Sequence, residues 1–305
     1  MATVVGSASD RTDFLDQLVA FAITVGYTDL GKTIEGSDTV WHLLKDGYYF
    51  HFRLRDFNAR FHVDLKLSRV WANEWYNVIP NGSHQAALTF YDVDGPYVSH
   101  KFFSNGAGDY IYIALEVASG MFNHMGFGVD LDKNEAWTGG GFCTGGYYRS
   151  PAATIGGSLN NCTPYTVDSR SASFFGAVHH ELPGIASIWA QFRYRGFPHY
   201  AISVMNDIGN FSFVAPLLMD APGPVAPEAQ VHPMELFGWE DAGQLFIPLG
   251  AFYDIGVINI ENLTPDTIFT VGSDQWHVYP VTRKNGDSVI VPNSANMGIA
   301  YRIVP

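Results

Sequence analysis

Asp130, Asp132 and Asn134 set side-chain oxygens at alternate positions, which is how a loop that wraps a calcium ion begins. Position six of such a loop needs glycine and position twelve a bidentate glutamate; here they are Glu135 and Gly141. The segment therefore reads as a polar turn. His179, His180 and Glu181 are metal-ligand types, but adjacent residues on a strand point to opposite faces, and Pro183-Gly184 forbids the helix that a zinc protease motif requires. Glu116, Asp130, Glu135 and Glu181 offer carboxylates for glycoside hydrolysis, yet among 30 acidic residues no spacing selects a pair. The chain also lacks a GxSxG nucleophile elbow, a phosphate-binding P-loop and a GxGxxG turn after a strand. The expectation is a protein that is not an enzyme and uses no metal and no cofactor.

The aromatic residues lead elsewhere. Trp71, Trp75, Tyr76, Trp137, Tyr147 and Tyr148 sit in segments too polar or too rich in glycine to be core strands, and such rings serve either as plugs that anchor loops or as contacts to sugars and protein partners. Protein partners are the favoured reading, because glycine-rich arms beside aromatics suit a subunit that fills gaps between neighbours. Seven of the nineteen residues from Gly139 to Gly157 are glycine, and five prolines fall between Pro216 and Pro233. Both stretches read as extended arms, the second because proline has no N–H for a strand ladder. Phe142, Tyr147, Tyr148, Leu217 and Leu218 on these arms are expected to be covered by a neighbour.

The elements that must position these residues are mostly strands. Ser9 or Asp10 caps a helix in which Phe14, Leu15, Leu18, Val19, Ala22 and Val25 form one apolar stripe, and Gly26 stops it. The stripe is expected to pack on the antiparallel sheet containing Trp41 to Leu67. Asp46-Gly47 reads as a two-residue hairpin turn between Trp41–Lys45 and Tyr48–Leu54. Phe61, Val63, Leu65 and Leu67 alternate with His62, Asp64, Lys66 and Ser68, a strand with one wet face. Further strands are read at 87–91, 97–102, 110–117, 188–194, 201–204 and 211–214. After the prolines they follow at 245–247, 257–260, 267–271, 275–281, 288–291 and 299–303. The fold class is mostly β (α+β): an N-terminal helix on an antiparallel sheet, then β-sandwich-like domains. The expected divisions are 1–135, a glycine-rich arm at 136–160, a continuation at 161–215, a proline-rich linker at 216–233 and a small β domain at 234–305.

Composition agrees with that class and excludes others. Aromatics at 15 %, with 31 Gly and 16 Pro in 305 residues, favour short strands and tight turns, and 47 % hydrophobic against 15 % charged residues excludes intrinsic disorder. A net charge of −13 argues against direct nucleic-acid binding, which draws its affinity from clustered Lys and Arg. No run is long and apolar enough for membrane insertion, and the first residues lack the pattern of a signal peptide. Cys143 and Cys162 are read as two thiols in a cytoplasmic chain.

Three stretches carry a resemblance. They are the capped helix Asp13-Phe14-Leu15-Asp16-Gln17-Leu18-Val19-Ala20-Phe21 with Gly26-Tyr27-Thr28; Gly108 to Val117 running on to Met125-Gly126-Phe127-Gly128; and Thr267 to Val281 closing on Gly298 to Ile303. Their order resembles a group of virion structural proteins of tailed bacteriophages, found among neck, tail and baseplate components. The resemblance implies a non-enzymatic subunit, assembled in the host cytoplasm with copies of itself and neighbouring virion proteins, and it implies no catalytic residues. The alternatives are a carbohydrate-binding β-sandwich that holds a surface glycan, and a tail-associated glycosidase.

Overall fold

The computed structural model describes residues 1–57, 60–69, 71, 86–91, 95–133, 140–145, 175–177, 187–194, 197–203, 231–240, 245–260, 262–280 and 297–304. Strands dominate them, in three antiparallel sheets with one helix among the described residues.

The first sheet is a meander of β2 (Thr28–Glu35), β3 (Asp38–Lys45), β4 (Tyr48–Phe57), β5 (Arg60–Ser68) and β6 (Ala86–Tyr91). Its central hairpin is the one read from Asp46-Gly47: both residues have positive φ (48° and 77°), as a primed turn demands, and Lys45 pairs Tyr48. The middle sheet runs β1 (Ala2–Ala8), β7 (Tyr97–Ser104), β8 (Tyr110–Ala118), β9 (Met121–Gly128), β11 (Phe142–Gly145) and β12 (Phe175–Ala177). The third runs β14 (Phe197–Ser203), β13 (Ser187–Tyr194), β15 (His232–Glu240), β16 (Leu245–Asn259), β19 (Met297–Val304), β18 (Asp274–Pro280) and β17 (Thr267–Val271), and β10 (Asp132–Lys133) pairs with β16.

At β8 and β9 the middle sheet is buried on both faces. Ile111, Ile113 and Leu115 of β8 join Met125 and Phe127 of β9 in one core with Phe50, Phe52, Val63 and Leu65 of the first sheet. There the Phe127 ring lies 5.2 Å from Phe50 and 5.0 Å from Phe52. The alternate residues point the other way: Phe103 stacks on Tyr301 of β19 at 4.6 Å, and Phe122 lies 5.3 Å from Tyr279 of β18. Strict alternation along β8 predicts one apolar face; Tyr110 and Tyr112 on the other are equally buried, because a further sheet covers them.

Helix α1 (Arg11–Thr24) is capped by Asp10, whose Oδ1 accepts from the Thr12 and Asp13 amides at 2.8 and 2.9 Å. Its stripe is buried as read, with Phe21 added. The expected sheet is only part of its surroundings. Phe14 meets Tyr97 edge-on at 5.5 Å and Phe21 lies 5.4 Å from Phe102, both on β7 of the middle sheet, while Trp41 of β3 donates its indole N–H to Asp16 at 2.7 Å. The turn after β7 closes on the end of the helix through Gly108, which has φ 72° and where a Cβ would stand 1.8 Å from the Val25 carbonyl oxygen.

Two expectations about arms fail where the structure describes them. Phe142–Gly145, inside the supposed glycine-rich arm, is a strand between β9 and β12. Glycine there removes bulk so that layers can approach: a Cβ on Gly141 would lie 2.2 Å from the Tyr48 ring. Pro233, the last proline of the supposed linker, is in β15, and the ladder with β16 shifts register between Pro233 and Glu235. A bulge is where a strand can hold a residue without an N–H. The stretches 245–247 and 257–260, read as separate strands, belong to β16 and its end; Asp254 takes positive φ (56°) within it. Residues 211–214, 288–291 and Asn285-Gly286 lie outside the described residues.

Candidate functional site

Hairpin arithmetic brings the first group together. A turn at Asp46-Gly47 sets His42 opposite His51, and the next pairing sets Arg53 opposite Asp64 and His51 opposite Lys66. All point away from the Phe50–Phe52 core. His42 Nδ1 lies 2.7 Å from His51 Nδ1, His42 Nε2 lies 2.8 Å from the Thr33 hydroxyl, and the Ser68 hydroxyl lies 3.4 Å from His51 Nε2. Trp71 covers the pair, its ring 5.1 Å from His42, 6.0 Å from His51 and 5.6 Å from Tyr49. Arg53 donates from Nε and Nη2 to Asp64 Oδ2 at 3.2 and 2.7 Å.

The face that alternation marks as wet is therefore buried: His42, His51, Arg53, Asp64, Lys66 and Ser68 are each at most 7 % exposed. Polar residue types predict solvent only where their hydrogen bonds must be made to water, and here they are made to one another. Burial, then His42 and the Lys66 charge, push the His51 imidazole down to about 3, and burial lowers His42 as well. Two neutral imidazoles at this distance share one proton between their Nδ1 atoms, and the hydroxyls at either end adapt to whichever tautomer forms. The His51 ring is therefore neutral near pH 7, with the Ser68 hydroxyl beside its Nε2.

The second group lies between the middle and third sheets. His124 Nε2 is 2.8 Å from the Pro280 carbonyl, which can only accept, so Nε2 carries the proton and Nδ1 accepts from the Tyr301 hydroxyl at 2.7 Å. Burial lowers His124 to about 4. Lys101 and His277 converge on Asp266; burial opposes ionisation of that carboxyl, but the Lys101 hydrogen bond and charge, with His277, hold it below the ordinary carboxylate range. Tyr110 donates to Asp254, and Arg302 reaches Asp254 at 3.1 Å and Asp274 at 2.6 Å. The His124, Lys101 and Tyr110 contacts tie the middle sheet to the third, and the Arg302 contacts join strands within the third.

The third feature is the sheet margins. Among the described residues the sheets end at β1 and β12, at β2 and β6, and at β14 and β17. β2 is guarded by Asp29, Lys32 and Glu35 and by a register shift between Asp29 and Gly31. β1 and β17 carry no charged residue, and Val5 is 63 % and Ile268 53 % exposed, with Val4 and Val271 exposed beside them.

Of the residues singled out in the sequence, Trp71 is 40 % exposed over the histidine pair, whereas Phe142 is fully covered by its own chain, 5.4 Å from Phe252. Phe142 alternates with Cys143 across the middle sheet, so it is a core residue, and the reading of it as a partner contact is corrected. Trp75, Tyr76, Trp137, Tyr147, Tyr148, Leu217 and Leu218 lie outside the described residues, as do Glu135, His179, His180 and Glu181. Glu116 accepts from Ser99 and from the Gly120 amide, both at 2.8 Å, a structural role in the β8–β9 turn. Among the described residues no group of three or more His, Cys, Asp or Glu is placed to hold a metal, and no helix is long and apolar enough to cross a membrane. The sequence matches no protein-family model and no curated protein.

Proposed function

We propose that this chain is a non-enzymatic structural subunit of a tailed-phage virion, in the tail, neck or baseplate, that assembles with copies of itself and with neighbouring virion proteins. The observation that carries the reading is that β1 and β17 end their sheets with apolar side chains in solvent, Val5 at 63 % and Ile268 at 53 %, and with no charged residue beside them on the strand. An unguarded apolar margin exposes a row of backbone donors and acceptors that a neighbouring strand satisfies, a hazard in a monomer and a use in an assembly. The order of sequence segments that resembles virion proteins supports the same reading. The test is a mass-spectrometric count of the chain in purified particles. A fixed stoichiometric copy number is expected; a chain that stays in the soluble fraction while particles form without it rejects the reading.

A carbohydrate-binding module is the second reading, favoured by Trp71, half-exposed beside Tyr49 above a polar sheet face. A glycan array separates the two, since loss of a positive signal on Trp71→Ala would assign the ring to sugar.

A further inference from the structure

We propose that β1 is a releasable strand, docked on β7 near neutral pH and detached in mild acid, with the His100 ring beneath it as the group that decides. The inference does not depend on the virion reading.

Five histidines are buried among the described residues, and four of them have a partner at a ring nitrogen: His42 and His51 in each other, His124 in Tyr301 and Pro280, and His277 in Asp266. His100 is the exception. It is fully buried, and neither its Nδ1 nor its Nε2 has a hydrogen-bond partner among the described residues. Phe102 stacks on the ring at 4.5 Å and Phe14 of α1 meets it edge-on at 5.9 Å, but β1 completes the cover. Gly6 pairs with His100 across the ladder, and a Cβ on Gly6 would stand 2.7 Å from Nε2, so the strand closes over the ring only because this residue has no side chain. A neutral imidazole carries one N–H and one lone pair, and burying both without partners opposes docking. Detachment returns both to water. The strand also gives up little apolar burial by leaving: β7 is its one neighbour in the sheet, Ala8 is its one buried side chain, and Val4 and Val5 are already in solvent.

Acid adds to the imbalance. Burial lowers His100 by more than the Asp13 charge raises it, so the docked ring resists a proton that the exposed ring accepts, and docking weakens as pH falls below 6.5. Asp13 of α1 is the charged group that faces the ring among the described residues, and its carboxylate already accepts from the Ser9 amide and hydroxyl and from Gln17. β1 has no ionisable side chain. Lys101 and Glu116, next to His100 and its ladder partner Leu115, lie on the opposite face with Asp266 and Ser99.

Amide hydrogen exchange read by mass spectrometry on the full chain, from about pH 7 to about pH 5 and corrected for the intrinsic effect of pH, tests this. Protection of the β1 amides is expected to fall in acid by up to about tenfold per pH unit, the limit for one linked proton, while β8 and β9 stay protected. His100→Leu removes the titrating ring and should hold β1 protection level across the range. Should that variant melt below wild type, His100→Gln, which stays polar without titrating, takes its place with the same expectation. Gly6→Ala places a methyl against Nε2 and should detach β1 already at neutral pH, with protection elsewhere unchanged. The inference is overturned by β1 protection that is level with pH in wild type, by a fall that β8 and β9 share equally, by an equal fall in the His100 variant, or by full β1 protection in Gly6→Ala.

Discussion

His124 makes protein stability depend on pH through a single buried ring. Its ordinary imidazole value is 6.5 and burial lowers it to about 4, so between those values the unfolded chain binds the proton that the folded chain refuses. Stability is therefore full above pH 6.5 and falls as pH drops toward 4, by on the order of 3 kcal/mol for this group. His51, held at about 3, acts in the same direction. His124→Gln keeps a donor for Pro280 and an acceptor for Tyr301 without titrating, so urea midpoints measured from pH 7 to 4.5 should fall less steeply than in wild type; an unchanged slope would show that the ring does not carry the effect. Asp64 is a second case. Removing it as Asp64→Ala withdraws the carboxylate from a buried guanidinium, a loss of about 3–5 kcal/mol, whereas Arg53→Met with Asp64→Leu should recover most of it. Thermal melts of the single and double variants decide between them.

Helix α1 shows how much of an element is local. Asp10 satisfies two amides at its start, so Asp10→Ala should cost about 1 kcal/mol, read as a shifted denaturant midpoint with an unchanged slope. Leu18 is fully buried in the core that both sheets share, and Leu18→Asp should cost several kcal/mol by burying an unpaired charge. Gly108→Ala tests the other end: the added methyl meets the Val25 carbonyl, and the backbone is in the left-handed region, so the helix end and the β7–β8 turn must part. The expected readout is faster amide exchange at Val25 and Gly26 with the β3–β4 hairpin unaffected.

At the scale of the molecule, the middle sheet couples its neighbours, since its β8 and β9 strands are covered on both faces. Phe127 fills the core toward the first sheet and Tyr301 the seam toward the third. Phe127→Ala and Tyr301→Ala should both lower one common calorimetric transition, each by about 3–5 kcal/mol. Two resolved transitions, each moved by only one of the variants, would show instead that the sheets unfold separately.

What the sequence determined by itself is what short-range physics controls: the Asp10 cap and apolar stripe of α1, the Asp46-Gly47 turn, the alternation of β5 and β8, and the short strands β17 and β18. The pairing of His42 with His51 was also within reach, since it follows from counting outward from that turn. Three things needed tertiary structure. Burial of Asp64, Lys66 and Ser68 depends on what lies over a sheet, which period-two alternation does not encode. Phe142 as core depends on layers close enough to make glycine an advantage, and the sequence shows only that bulk is absent. The strand character of β1, which has just two large apolar residues, Val4 and Val5, comes from its ladder with β7, a long-range pairing that period-two reading of seven residues does not reveal.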